Sequence, residues 1–581
     1  MLRSNREIKQ LNIFNDSFLL SAYADDTTFF VQDLASITLI LDIFGVFSIF
    51  SGFKLNTSKC EVCGIGVLKG VNTALCNVKN INLTTNFIKI LGFHFSYNKE
   101  LSINKNFISA IQKIENTLKI WKMRKLTLIG KIVIFKTLAI SQIVYITSIS
   151  SLPSCILNTL NTIQKDFIWD GKRAKIKHST LISNYSEGGL CDIDIELKIK
   201  SLQLSWLKRF YDTNHHPWKT IPKYIFSKIS ASNSIFFPNF ALGISKSLAN
   251  IPVFYQDILK FWSEVSSSTP LTASSILSEC MWNNNLLRID HNIISPSTFD
   301  NKINMLFVAD FFDPKGNLLP WNCFKILHSI ENKHYFNWIK MVNVLPRQWK
   351  ETIKCDEGKS LIFCEFVPHL IVNAKLFPMN KLTSKELYNI FIKTKVKPPT
   401  SQNTFLSLFG VNSLPWKKIY TLPNLISIDS YSRMFQYKCL NNILYLNKIL
   451  HRIGFADSPL CSYCKQDNET VQHLFIECRV SKSLWNDIIL FFNDKLDIPN
   501  LDLQSAILGF IDSRKDSLAL NNILLIFKLC LYRFRDKKAP TFLSFLKNLR
   551  EREFLERKIV FLNQNKLDFH NKKWEFLTTL V

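Results

Sequence analysis

Cys461-Ser-Tyr-Cys464, eight residues, His473, four residues and Cys478 put three thiolates and one imidazole in a single short segment. Two cysteines three apart on a straight strand face opposite ways, so the pair reaches one metal ion through a tight turn between them. Pro459 suits the approach to that turn, and Asp467-Asn468 suits the loop beyond it. Three sulfurs and one nitrogen fill a tetrahedral shell. The spacing therefore predicts a closed, structural Zn²⁺ at Cys461, Cys464, His473 and Cys478 rather than a catalytic metal with an open position.

The chain has fourteen cysteines among 581 residues, irregularly spaced. A secreted disulfide scaffold would be shorter and denser in cysteine, so the pattern points to a reducing, intracellular compartment. Cys60 and Cys63 also form a CxxC. They fall on an expected strand, where residues three apart face opposite ways, so they are not read as ligands. The first residues, Met1-Leu-Arg-Ser-Asn-Arg-Glu-Ile-Lys, lack the apolar core of a signal peptide. Ser36–Phe53 and Ile132–Leu157 are apolar but interrupted, the first by Asp42 and the second by Lys136 and Gln142. Neither supplies about 20 uninterrupted apolar residues. Both read as buried core helices, and no membrane partner is expected.

Net charge is +26, an excess that suits a polyanionic partner. Hydropathy periodicity divides the chain. Phe18-Leu-Leu-Ser-Ala and Thr27-Thr-Phe-Phe-Val read as strands around a Tyr23-Ala-Asp-Asp turn, followed by a helix from about Leu34 to Phe50 that stops at Gly52. Glu61–Ile65 reads as a further strand, and Ile88–Phe95 as a strand with a glycine kink. Phe107, Ile111, Ile114, Leu118 and Trp121 then share one helical face, and the remainder is mainly helical.

Asp25 and Asp26 are adjacent carboxylates at a strand-to-strand turn. Like charges side by side gain nothing structurally unless solvent or a cation screens them. Mg²⁺ takes such hard oxygens, and two-metal phosphoryl transfer uses them. A solvated acidic turn is the alternative for the tetrapeptide alone. Downstream, Lys119, Lys122, Arg124, Lys125, Lys131 and Lys136 cluster around a helix pair, where they suit either a solvated face or phosphate contacts.

The order of these motifs resembles the C-terminal part of non-LTR retrotransposon reverse transcriptases of the long-interspersed-element type. The resemblance rests on Tyr23-Ala-Asp-Asp-Thr-Thr-Phe-Phe, Ser51-Gly-Phe-Lys-Leu-Asn-Thr-Ser-Lys-Cys, Lys89-Ile-Leu-Gly-Phe, Lys122-Met-Arg-Lys-Leu-Thr-Leu-Ile-Gly-Lys, Phe167-Ile-Trp-Asp-Gly-Lys and Tyr185-Ser-Glu-Gly-Gly-Leu. Phe435-Gln-Tyr-Lys-Cys-Leu-Asn and Glu469-Thr-Val-Gln-His-Leu-Phe-Ile-Glu-Cys, through Trp485, resemble the family's zinc-binding module, which is thought to hold nucleic acid near the target site.

The fold implied is a partial α+β polymerase palm over 1–100, a mainly α thumb over 101–155, and a post-thumb connection over 156–214. A helical region of unassigned role follows over 215–425, then a zinc knuckle module over 426–490 and a basic helical tail over 491–581. The tail includes Lys528, Arg533, Arg535, Lys537 and Lys538, then Arg550 to Lys558, a mixed-charge stretch that suits RNA contact or, more economically, a solvated amphipathic helix.

By the same resemblance Asp25 and Asp26 bind catalytic Mg²⁺, with Tyr23 and Ala24 under the primer end. Lys59 either assists proton transfer or is a solvated lysine before a strand. Leu91 and Gly92 grip the primer, and Lys122, Arg124, Lys125 and Lys131 track phosphates. The partners implied are an RNA template and a DNA primer or target, bound without strong sequence preference, in nucleus or cytoplasm. The family's other catalytic aspartate lies far upstream of the hairpin, whereas only twenty-two residues precede Tyr23, with Asp16 expected in a turn. Two functions follow. One is a fragment of an RNA-directed DNA polymerase that works only when its N-terminal catalytic half is supplied. The other is a non-catalytic, zinc-containing nucleic-acid-binding remnant.

Overall fold

A computed structural model describes residues 2–14, 16–68, 82–83, 87–214, 216–230, 234–241, 250–266, 269–354, 368–372, 375–511, 516–535, 538–561 and 567–578. Among these, helices predominate, and the strands form six two-stranded pairs. The chain divides into two compact units, each assembled from discontinuous segments. One comprises Met1–Glu115, Ile140–Leu160 and Ile195–Lys393; the other comprises Asn116–Ala139, Asn161–Asp194 and Thr394–Val581. The sequential boundaries expected from the motifs therefore do not coincide with the compact units.

In the first unit, Leu20–Tyr23 pairs antiparallel with Asp26–Phe29, and Tyr23 lies opposite Asp26. The hairpin is the expected one with a tighter turn, two residues rather than four, and Ala24 takes a left-handed φ of 53°. Asp16 is not in a turn. It lies in the strand Asp16–Phe18, opposite Ile13, and its carboxylate accepts a hydrogen bond from the Thr220 hydroxyl. The Glu61–Ile65 strand shrinks to Glu61–Val62, paired in parallel with Asn82–Leu83. Ile88–Phe95 is a hairpin rather than a kinked strand: Ile90 pairs with Phe93 across Leu91-Gly92. Both turn residues have positive φ, 47° and 84°, which matches the right-handed twist of the flanking strands.

The helix Leu34–Ser51 starts where Asp33 accepts a hydrogen bond from the Ser36 N–H at 2.9 Å. Hydrogen bonds from Ser36 and from Lys9 hold the Asp33 carboxyl down at about 2. The helix ends where Gly52 adopts the left-handed conformation. It was expected in a core, but only Ser36 and Ile40 are buried, while Ile49 and Phe50 are 80% and 85% exposed. By length and composition it could cross a membrane. Apolar sequence sets a helix's appetite for burial; whether it is buried depends on which surface is laid against it. In the second apolar stretch Ile132, Phe135, Ala139, Ile140, Ile143 and Ile156 are buried, while Val133, Tyr145 and Ile149 are exposed.

Two aromatic cores fill the rest of this unit. One gathers Phe210, Phe226, Phe236 and Trp262; the other gathers Trp282, Phe299, Phe311 and Phe324.

At the centre of the second unit is the helix Ser517–Arg533, buried on every side from Ala519 to Leu531. Phe435, Trp485, Ile488, Phe545, Leu549, Trp574 and Phe576 belong to the same core. Of the expected basic tail, the helix that carries Lys528 is a core element and Arg535 is paired beside it, whereas Arg533, Lys538, Arg550, Arg557 and Lys558 are exposed. Lys528 disguises that helix in the sequence. Its ammonium is buried and donates to Gln436 Oε1 at 2.7 Å and to the Ala506 carbonyl at 2.8 Å. Lys537 lies outside the described residues.

Candidate metal centre

The cysteine segment folds into the turn that its spacing demands. Cys461 N–H donates to the Asp467 carbonyl at 2.7 Å, and Lys465 N–H returns to the Cys461 carbonyl at 3.0 Å. Lys465 is left-handed, with φ of 58°, which reverses the chain toward the bridge between Leu460 and Asn468. His473 opens a π turn, His473–Glu477, closed by the Cys478 N–H on the His473 carbonyl at 2.8 Å. Cys478 then precedes the helix Arg479–Phe492. The wide turn and the helix start bring the second ligand pair over the first.

Cys461, Cys464, His473 and Cys478 are all buried, and their ligand atoms lie within 4.8 Å of one another. Cys461 Sγ is 3.9 Å from Cys478 Sγ, and Cys464 Sγ is 3.2 Å from His473 Nε2. A tetrahedral Zn²⁺ with Zn–S of about 2.3 Å and Zn–N of about 2.0 Å sets sulfurs about 3.8 Å apart and S···N near about 3.5 Å. The donors fit. Without a cation, the Cys461 thiol donates to Cys478, which draws Cys478 down to about 7 and pushes Cys461 well above the usual thiol range. The N–H groups of Val480 and Ser481, at the helix start, also favour a Cys478 thiolate.

Residues outside the ligand set also hold the knuckle, among them Arg535, which the sequence placed on a solvated face. Glu469 is fully buried and accepts from Asn447 N–H at 3.1 Å, Ser462 N–H at 3.0 Å and Arg535 Nη1 at 2.7 Å. Asn447 Nδ2 also donates to the Leu460 carbonyl and the Ser462 hydroxyl. Tyr463 OH donates to the Leu531 carbonyl at 2.6 Å, tying the turn to the core helix. Asp467 Oδ2 lies 3.7 Å from His473 Nδ1, on the ring edge away from the sulfurs, where it favours the tautomer that leaves Nε2 free to ligate. Glu469 stands four residues before His473 and could have been noticed; Arg535 carries no local signal.

The other expected site residues are scattered. Tyr23, Asp25 and Asp26 are exposed at the hairpin. Among the described residues, the Cys/His set is the one group of three or more such ligands, so no third carboxylate, Cys or His joins Asp25 and Asp26. Lys59 is exposed at the end of the short turn Thr57–Lys59. The Leu91 carbonyl accepts from Tyr145 OH at 2.8 Å, beside Gly92. Lys119, Lys122, Arg124 and Lys125 are exposed, with Arg124 4.9 Å from the Trp121 ring centre. Lys131, unlike these, is buried, with its ammonium 2.5 Å from Asp170. Lys136 is tied to the Cys191 carbonyl at 2.7 Å. Cys60 and Cys63 flank the strand Glu61–Val62 and are not part of the metal-ligand group.

Residues 383–485 match the family described as zinc-binding in reverse transcriptase, beginning upstream of the 426 boundary expected from the sequence. The chain is also 26% identical over 254 residues to a transposon TX1 uncharacterized 149 kDa protein of Xenopus laevis. That alignment covers 43% of this chain and 19% of the relative, so the chain spans well under two thirds of that protein. Ligand geometry, family match and relative agree: the Cys/His cluster lies inside a segment similar to the zinc-binding module of reverse transcriptases, in a chain similar to a transposon protein.

Proposed function

We propose that this chain is a C-terminal fragment of a retrotransposon RNA-directed DNA polymerase, in which a structural Zn²⁺ fixes a nucleic-acid-binding module. The observation that carries the reading is the buried Cys461–Cys464–His473–Cys478 set, whose spacing and geometry suit one metal and whose segment matches the family. The hairpin is the palm element, with Asp25 and Asp26 as Mg²⁺ ligands and Tyr23 beside them. Lys59, Leu91 and Gly92 are its accessory positions. Residues 101–155 act as the thumb, where exposed Lys122, Arg124 and Lys125 follow the phosphates of an RNA–DNA duplex. Buried Lys131 drops out of that set and braces Asp170.

Two metals about 3.5–4 Å apart need carboxylates on both sides. Asp25 in the turn and Asp26 at the start of the returning strand stand on one side of the site, so this chain extends a primer only when an upstream catalytic half completes it. The second reading, a non-catalytic nucleic-acid-binding remnant, gains from the absence, among the described residues, of a further carboxylate beside Asp25 and Asp26. Primer extension on an RNA template with Mg²⁺ separates the readings. The chain alone should be inactive, and activity should appear when an upstream polymerase half is fused or added and vanish in Asp25→Ala. Extension by the chain alone, abolished by Asp25→Ala, would overturn the requirement for that half. Continued inactivity of the completed protein would favour the remnant.

A further inference from the structure

Beside the knuckle, the second unit carries a cluster of cations that the preceding roles leave unused. The helix Ser154–Trp169 ends at Asp170 and Gly171, both left-handed, with Lys131 fixing Asp170. The loop beyond carries exposed Lys172, Arg173 and Lys175, and Ile176 then plugs into a core with Met434 and Tyr437 of the helix Ser430–Leu440. That plug brings Lys175 beside Lys438 of the same helix. Lys175 Nζ lies 3.2 Å from the Tyr445 ring centre. The Tyr445 carbonyl accepts from Tyr532 OH, and Asn447, two residues on, holds the metal-binding turn. Burial first, and then the charges of Lys438 and Lys172, hold the Lys175 ammonium below its usual range. Among the described residues, no carboxylate lies within ion-pair distance of Lys172, Lys175 or Lys438.

Like charges gathered from two elements cost stability unless a polyanion neutralises them. Lys438 stands in the last turn of the helix Ser430–Leu440, where the helix dipole accounts for it, but that explanation does not cover the seating of Lys175 on an aromatic face. We infer that Lys172, Lys175 and Lys438 form a second phosphate-binding surface, distinct from the thumb lysines, that holds a nucleic-acid strand against the zinc module. Tyr445 is a positioning residue: its ring keeps the Lys175 ammonium in place and partly desolvated. The proposal rests on the nucleic-acid-binding reading above and adds a location to it.

The test uses the full zinc-loaded chain and fluorescently labelled oligo(rU) and oligo(dT) of equal length, titrated from low to high salt. Lys172→Ala, Lys175→Ala and Lys438→Ala together should flatten the log–log salt slope by about two units, since each phosphate neutralised on a single strand is worth about 0.7. Zinc content and circular dichroism should not change. Tyr445→Phe should bind like the parent, and Tyr445→Leu should weaken binding. Weaker binding of both oligonucleotides assigns the backbone phosphates; weaker binding of oligo(rU) alone assigns an RNA strand. A triple variant that keeps the parent slope, while the parent binds tightly, overturns this surface and leaves the broader reading intact. A parent that binds neither oligonucleotide overturns both. Patch-dependent binding to anionic phosphatidylserine vesicles without oligonucleotide binding would reassign the surface to a membrane and overturn the proposal.

Discussion

Arg535 Nη1 meets Glu469 Oε1 at 2.7 Å, an ion pair that joins the end of the central core helix to the metal-binding turn. Glu469 is completely buried and the Arg535 side chain is 10% exposed. Arg535 also packs over the Tyr532 ring at 4.2 Å. The turn is therefore held on two sides, by its metal ligands and by a carboxylate whose countercharge lies sixty-six residues away.

Removing that countercharge should be costly. Arg535→Met leaves the Glu469 carboxylate buried with only two backbone N–H donors, and breaking a buried pair this way costs about 3–5 kcal/mol. Denaturant unfolding of the zinc-loaded chain should show a lower midpoint, and chelator-driven zinc release should quicken. The double change Glu469→Gln with Arg535→Met should recover part of the loss. An unshifted midpoint in Arg535→Met would show the pair to be incidental.

One equivalent of Zn²⁺ should copurify with the chain and disappear in Cys464→Ser. The measurement belongs on the full chain. Phe435, Leu474 and Trp485 share their core with residues as late as Trp574 and Phe576, so a segment ending near Asn500 would expose that core. Metal analysis should therefore accompany thermal unfolding, because binding at such a site is coupled to folding. A chain without metal that unfolds at the zinc-loaded temperature would defeat the assignment.

Stability near pH 8–10 should depend on Lys528. Burial lowers its ammonium to about 8, against an ordinary 10.5. Between those values the unfolded chain binds more protons than the native chain, so stability from this group rises with pH across the window. Lys528→Met lacks this titration and leaves the Gln436 and Ala506 acceptors unpaired. Its disadvantage relative to the parent should grow by on the order of 1–3 kcal/mol from pH 8 to pH 10. A gap that stays constant with pH would mean that Lys528 is charged in the native state throughout.

Affinity for an RNA–DNA duplex should fall steeply with salt and vary little with sequence. Replacing exposed Lys122, Arg124 and Lys125 together by alanine should flatten the slope, by about 0.9 for each duplex phosphate no longer neutralised. Lys131→Ala should instead leave the slope unchanged and lower stability, because its ammonium is spent on Asp170. A flattened slope in Lys131→Ala would restore that lysine to the phosphate-binding set.

The sequence by itself determined what short-range geometry decides. Ligands three, nine and five residues apart dictate a turn and a return, and Cys461, Cys464, His473 and Cys478 converge accordingly. Two strand-like runs around a turn, and a stop at Gly52, place the Leu20–Phe29 hairpin and the helix Leu34–Ser51, because turn formation and helix termination act over a few residues. Only the tertiary structure decided burial and pairing. Lys131 looked like its exposed neighbours Lys122 and Lys125, yet its partner Asp170 lies on another helix end thirty-nine residues on. Lys528 marked its helix as a solvated face, yet Gln436 and Ala506 arrive from distant segments to accept its protons. Leu34–Ser51 read as core and is largely exposed. In each case a side chain's charge or apolarity was legible, but its surroundings are contributed by residues remote in sequence, which no local pattern encodes.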